Sequence, residues 1–159
     1  MDTMRRKDRA VTDPEEIAGI MSRCEVLHLA INTDGAPYLL PVSFGMEPDG
    51  RTLYIHGAAE GTKYELLAQD NRVGFELDCS HGLVLDERSR SCSVDYESVM
   101  GWGVLEELTR ETDKRYALDR IMAQYHQEDF SYSEAMVKPT RVFRLCVRER
   151  TGKRRRKIV

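Results

Sequence analysis

The sequence predicts a mainly β fold with peripheral α-helices: one small, closed antiparallel barrel. Three observations lead there. Apolar runs of strand length recur between residues 26 and 77 and return near residues 100 and 145. The connections between the early runs are turns of a few residues, too short for parallel crossovers. Helical periodicity is confined to three short stretches, none long enough to form a bundle.

Asp13-Pro14-Glu15-Glu16 opens the first helix. Asp13 caps it, Pro14 suits its first turn and Glu16 completes a capping-box-like pair. Ile17, Ile20 and Met21 then share one face. The run 26–31 is the first strand, and Asp34-Gly35 supplies hairpin chemistry. Residues 38–46 form the return strand, with Pro41 arguing for an edge or an interruption. After the turn Pro48-Asp49-Gly50, residues 53–56 form a third strand. Residues 62–68 read as a short helix with Thr62 as its cap. Residues 73–77 alternate as a fourth strand. Residues 80–95, rich in Ser, Asp, Glu and Arg, read as a loop. Residues 98–106 form a strand whose glycines signal a bulge or a close approach. Residues 109–125 form the longest helix, burying Ala117, Leu118, Ile121, Met122 and Tyr125. Residues 143–147 alternate as a last half-buried strand. The count is about six strands and three helices, in one domain over residues 1–159, with 153–159 as a basic tail.

The chain of 159 residues is 41% hydrophobic and 32% charged, which excludes global disorder. Its 24 basic and 27 acidic residues leave a net charge of -3, which excludes a polycationic nucleic-acid binder. No apolar run approaches the ~20 residues that span a bilayer, and the charged start lacks a secretory signal. These features predict a cytoplasmic protein without membrane or nucleic-acid partners. Cys24, Cys79, Cys92 and Cys146 form no CxxC pair and read as reduced thiols. Cys79 and His81 lie at a strand end and a loop, and no metal site is expected. His28 reads as a core histidine, and His126 as a partner of helix C-terminal carbonyls.

The segment 54–63, Tyr-Ile-His-Gly-Ala-Ala-Glu-Gly-Thr-Lys, carries the most chemistry. It runs from a strand through a small-residue loop into a helix start. Amides at a helix N-terminus and a nearby cation suit a phosphate, and small residues let it come close. The pattern is not a Walker loop, and an ordinary capped helix with a solvated lysine would look the same.

With Met4–Arg9, residues 37–44 and residues 96–103, this segment resembles the flavin-binding split-barrel superfamily that contains pyridoxamine 5'-phosphate oxidase. The branch it is most similar to is the nitroimidazole-resistance (Nim) type, and the resemblance spans nearly the whole chain. It implies a six-stranded antiparallel split barrel, forming a homodimer with FMN at the subunit interface. By position, Thr62 and Lys63 would hold the FMN phosphate, and His56, Gly57 and Ala58 would line the cofactor. Val42, Ser43 and Phe44 would run along the flavin ring with main-chain hydrogen bonds. Ser98 and Met100 would reach across from the second subunit. His56 matches the branch's characteristic histidine and would be the proton donor to a small organic substrate. The arginine–histidine grip of the oxidase on pyridoxal phosphate has no counterpart here, which argues against vitamin B6 oxidation. The alternatives are a non-catalytic flavin carrier or sensor, a haem- or deazaflavin-binding relative, and an interaction module using the basic tail. Haem would need an axial ligand, for which His28, His56, His81 and His126 are generic candidates.

Overall fold

The computed structural model describes residues 4–155. After a single 3₁₀ turn at Lys7–Arg9 come β1 (Ala10–Val11), α1 (Pro14–Ser22), β2 (Leu27–Ile31), β3 (Tyr38–Val42), β4 (Phe44–Met46) and β5 (Thr52–Gly57). Next are α2 (Thr62–Gln69), β6 (Arg72–Asp86), β7 (Ser91–Leu108), α3 (Glu111–Gln124), α4 (Glu134–Val137) and β8 (Arg141–Arg155). The strands form one antiparallel sheet in the order β3-β2-β6-β7-β8-β5-β4, with β1 pairing to β8. The path ends with β3 on one edge and β4 on the other, yet only Ser43 separates them in the chain. Two bonds of ~3.8 Å between successive Cα atoms bridge that link, so the sheet must curl until its edges meet. The product is a split β-barrel.

Eight strands replace the expected six for the first two of three differences. The return strand 38–46 breaks at Ser43 and serves both edges, with Pro41 on the edge strand β3. A two-residue β1 was not foreseen. The expected loop 80–95 is instead a hairpin: Gly82–Asp86 pairs with Ser91–Asp95 after a register shift following Cys79. Its polar composition concealed the ladder because this arm extends beyond the core, with residues 86–92 fully exposed.

Alternation along the strands fills the barrel. Leu27, Leu29, Phe44, Leu53, Leu77, Val99 and Leu145 are fully buried inside, joined by Ile20 and Met21 of α1. Asp13 caps α1 as expected, its Oδ1 accepting from the amide of Glu15 at 2.8 Å. Glu16, however, pairs with Arg154 at 2.9 Å rather than closing a capping box. On the outside, α3 buries Ala117 and Ile121 against Tyr54 and Val142. Gly45 permits this contact, since a Cβ there would lie 2.4 Å from the backbone of Arg120.

Lys153, Arg154 and Arg155 belong to β8 rather than to a solvated tail, while Arg156 and Lys157 lie outside the described residues. Arg154 donates to the fully buried Glu97 at 2.6 Å, and Arg23 and Ser80 donate to the same carboxylate at 2.8 and 2.9 Å. A buried carboxylate requires such company, and this one ties the end of α1, the β6 bulge and β8 together. His28 is not in the core; its ring faces outward and meets Glu76 at 3.2 Å. The positive-φ residue His126 closes α3 through its backbone N–H, which donates to Ala123 at 3.1 Å. Among the described residues no helix is long and apolar enough to cross a membrane, and no group of His, Cys, Asp and Glu could hold a metal.

Candidate functional site

The barrel is open where β4 is too short to follow β5. Their ladder ends at the pair Phe44–Ile55, so His56 and Gly57 run past it with β8 on one side only. A crevice lies at this gap, lined by Leu29, Val42, His56, Gly57, Lys63 and Phe143, among others. Four residues singled out from the sequence, Val42, His56, Gly57 and Lys63, thus converge from β3, β5 and α2.

Gly61, not Thr62, is the residue before the first turn of α2, and its φ of 153° is one that residues with side chains rarely adopt. Thr62 and Lys63 therefore occupy the first turn, where amides have no carbonyl four residues back. The Thr62 hydroxyl and the Lys63 ammonium have no hydrogen-bond or carboxylate partner among the described residues. Lys63 Nζ lies 5.1 Å from the centre of the Tyr64 ring. Gly57 forms the floor of this cradle, since a Cβ there would lie 2.7 Å from Lys63 Nζ and 2.6 Å from Tyr64 Oη. Ala58 is exposed, and its carbonyl accepts from Tyr64 Oη at 2.5 Å, fixing the loop between strand and helix.

Three residues of the site escaped sequence reasoning. Tyr64 and Phe143 stack at 5.6 Å and 12° beneath the cradle. Arg141 lies opposite Gly57 in the β5–β8 ladder and places its guanidinium 3.8 Å over the Tyr64 ring. Its Nε donates to Glu107 at 2.7 Å, so its charge is largely spent there. Only the ladder register reveals Arg141, whereas Tyr64 is adjacent to Lys63 and Phe143 lies on an alternating strand.

Phe44 does not present itself to the crevice. Its side chain is fully buried, and its amide donates to Tyr125 Oη at 3.1 Å, which in turn donates to the Glu25 carbonyl. Ser43 is exposed at the link. Ser98 and Met100 line no part of the crevice; they stand on the outer face of β7, with Met100 49% exposed.

Residues 13–154 match the family model described as pyridoxamine 5'-phosphate oxidase. The chain belongs to this family. Among solved structures it is 34% identical to a candidate 5-nitroimidazole antibiotic resistance protein from Bacteroides thetaiotaomicron, covering 91% of this chain and 85% of that one at a TM-score of 0.80. The flavocytochrome Anf3 from Azotobacter vinelandii is 22% identical over 97% of this chain and 72% of its own, at a TM-score of 0.81. The FAD and heme binding protein from Mycobacterium smegmatis is 20% identical over 92% and 73%, at a TM-score of 0.75. The last two similarities establish the fold alone. No curated protein matches the chain.

His56 is the titratable group whose setting matters most. Desolvation and, after it, the charge of Lys63 hold its imidazole below the ordinary 6.5. Near neutral pH it is therefore a neutral ring, able to donate one hydrogen bond and accept another. The unfolded chain binds this proton more readily, so the native state loses stability as pH falls below 6.5 toward the folded value. Replacing His56 with Gln removes that proton site. Urea unfolding at about pH 7.5 and about pH 5.5 should show His56→Gln gaining stability relative to the unsubstituted chain at the lower pH. An equal difference at both pH values would contradict the assignment.

Proposed function

We propose that this chain is an FMN-dependent oxidoreductase that works as a homodimer and reduces a small organic acceptor. The observation that carries this reading is the unpartnered Lys63 ammonium beside the first amides of α2, at a strand edge left open by the barrel's gap. A phosphate dianion satisfies both at once, because the helix end offers N–H donors and the lysine offers charge. The donor set fits: Thr62 adds a hydroxyl, and the bare Gly57 lets the Lys63 ammonium close onto the strand, where a Cβ would meet Nζ at 2.7 Å. The name of the family and those of the Anf3 and mycobacterial relatives favour a flavin, and the Bacteroides relative favours the Nim-like branch.

In this reading Thr62 and Lys63 hold the phosphate, and His56, Gly57 and Ala58 flank the ribityl chain. Val42 and Ser43 border the ring. When bound, the flavin supplies the electron transfer. The chain positions it, dries one side with Leu29, Val42 and Phe143, and sets His56 beside it as hydrogen-bond donor and proton source for the reduced product. The depressed proton affinity of His56 makes that donation easiest at mildly acidic pH.

The outer face of the β6–β7 ladder supports the reading that a second copy binds there. The register places Leu83 opposite Val94 and Leu85 opposite Cys92. These residues share a face with Ser98, Met100 and Trp102, since alternate residues of β7 point the same way. Leu83 is 70% and Leu85 61% exposed. A two-stranded arm is marginal alone, and an apolar stripe of this length marks a contact surface. Burying it against a twin copy would bring Ser98 and Met100 to the partner's flavin.

Two outcomes test this reading. Lys63→Ala should weaken FMN binding by about 1.5–3 kcal/mol, as read by fluorescence quenching of added FMN. Unchanged affinity would remove Lys63 from the site. Met100→Asp should sediment as a monomer and lose FMN, while its far-ultraviolet circular dichroism stays native. A dimer that still binds FMN fully would exclude this face as the interface.

A further inference from the structure

A larger cavity lies away from the crevice. It occupies about 550 Å³ between α1, the β4–β5 turn and α3. β5 starts beside Arg51 at this cavity and ends at Gly57 in the crevice, so roughly 20 Å of strand separates the two. Its floor is apolar, made by Ala18, Met46, Pro48 and Ala123. Three guanidiniums, those of Arg51, Arg120 and Arg150, border it.

None of the three pairs with a carboxylate among the described residues, although nine other described arginines do. Arg120 directs Nε to the Met46 carbonyl at 3.0 Å. Arg150 donates to the carbonyls of Asp49 and Pro14 at 2.8 and 3.3 Å. Arg51 has no side-chain partner among the described residues. A guanidinium carries five N–H donors, so each retains donors beyond these contacts. The fold therefore pins two of the three through carbonyl oxygens, with no carboxylate hydrogen-bonded to either among the described residues. Burial and, after it, the charge of Arg51 hold Arg150 below the ordinary arginine value, with Asp49 offsetting part of this. The acidic groups on the rim are Glu15 and Asp49, and Asp49 accepts the Arg51 amide at 2.9 Å to close its turn. His126 adds a further polar ring.

We propose that this cavity is a second binding site, for a small organic carboxylate whose apolar body rests on Ala18, Met46 and Ala123 while its head meets the guanidiniums. Planar guanidinium forks match carboxylates in geometry as well as charge. The cavity's volume suits a compact ring or short acyl chain.

The test is calorimetric titration of sodium benzoate into the full-length chain, with benzamide as the neutral counterpart. Benzoate should saturate one site per chain, and benzamide should give no saturable heat. Arg51→Glu should weaken benzoate binding by at least about tenfold, the scale for losing one charge-assisted hydrogen bond. Lys63→Ala should leave benzoate binding unchanged, which places the ligand away from the crevice. If Arg51→Glu fails to fold, Arg51→Gln keeps a polar side chain of similar reach and should still weaken binding. The proposal is overturned by absent benzoate saturation, by equal benzamide binding, by unchanged affinity in the Arg51 variants, or by loss of binding in Lys63→Ala.

Discussion

The one-residue link at Ser43 dictates the rest of the architecture. β3 and β4 lie at opposite edges of the sheet, and the chain allows them no more separation than two peptide units. The sheet must therefore roll up. Yet β4 pairs with β5 over only three positions, so closure stops short of His56 and Gly57. The same constraint that makes the barrel also splits it. A free strand edge, a glycine and the first turn of α2 meet at that opening, and the lysine there has no carboxylate partner among the described residues. Nine described arginines pair with carboxylates. The contrast between Arg141, bonded to Glu107, and Lys63, with no carboxylate partner among the described residues, sets the site apart electrostatically.

Much of this was legible in the sequence because local chemistry decided it. Asp13-Pro14 could only open a helix, and Pro41 could only be tolerated on an edge strand. The step from β5 through small residues into α2 put His56, Gly57 and Lys63 in one place before any coordinates did. What stayed hidden depended on partners distant in sequence. The hairpin arm at 80–95 is built from polar and charged residues because most of it faces water, so its composition reads as a loop. The basic residues 153–155 look like a solvated end until Glu97, 57 positions from Arg154, proves to be buried beside them. The resemblance placed Phe44 along the flavin ring with Val42 and Ser43. The inward turn at the link instead commits its ring to the core and its amide to Tyr125.

The outer stripe from Leu85 to Trp102 gives the molecule its remaining debt to solvent. On a solitary chain it would leave large apolar side chains in water along a narrow two-stranded arm. In the proposed dimer, pairing with a twin copy would resolve that exposure and bring to the crevice Ser98 and Met100, neither of which lines it in its own subunit. Stability and function would then share one surface, as interfaces that build active sites commonly require.

The most direct measurement is to purify the chain without added cofactor, record its absorbance, denature it and identify the released chromophore by mass. The account predicts a yellow protein with flavin bands in the blue and near ultraviolet, releasing one FMN per chain. A colourless protein that also refuses added FMN would contradict it, and so would a Soret band with haem as the released group.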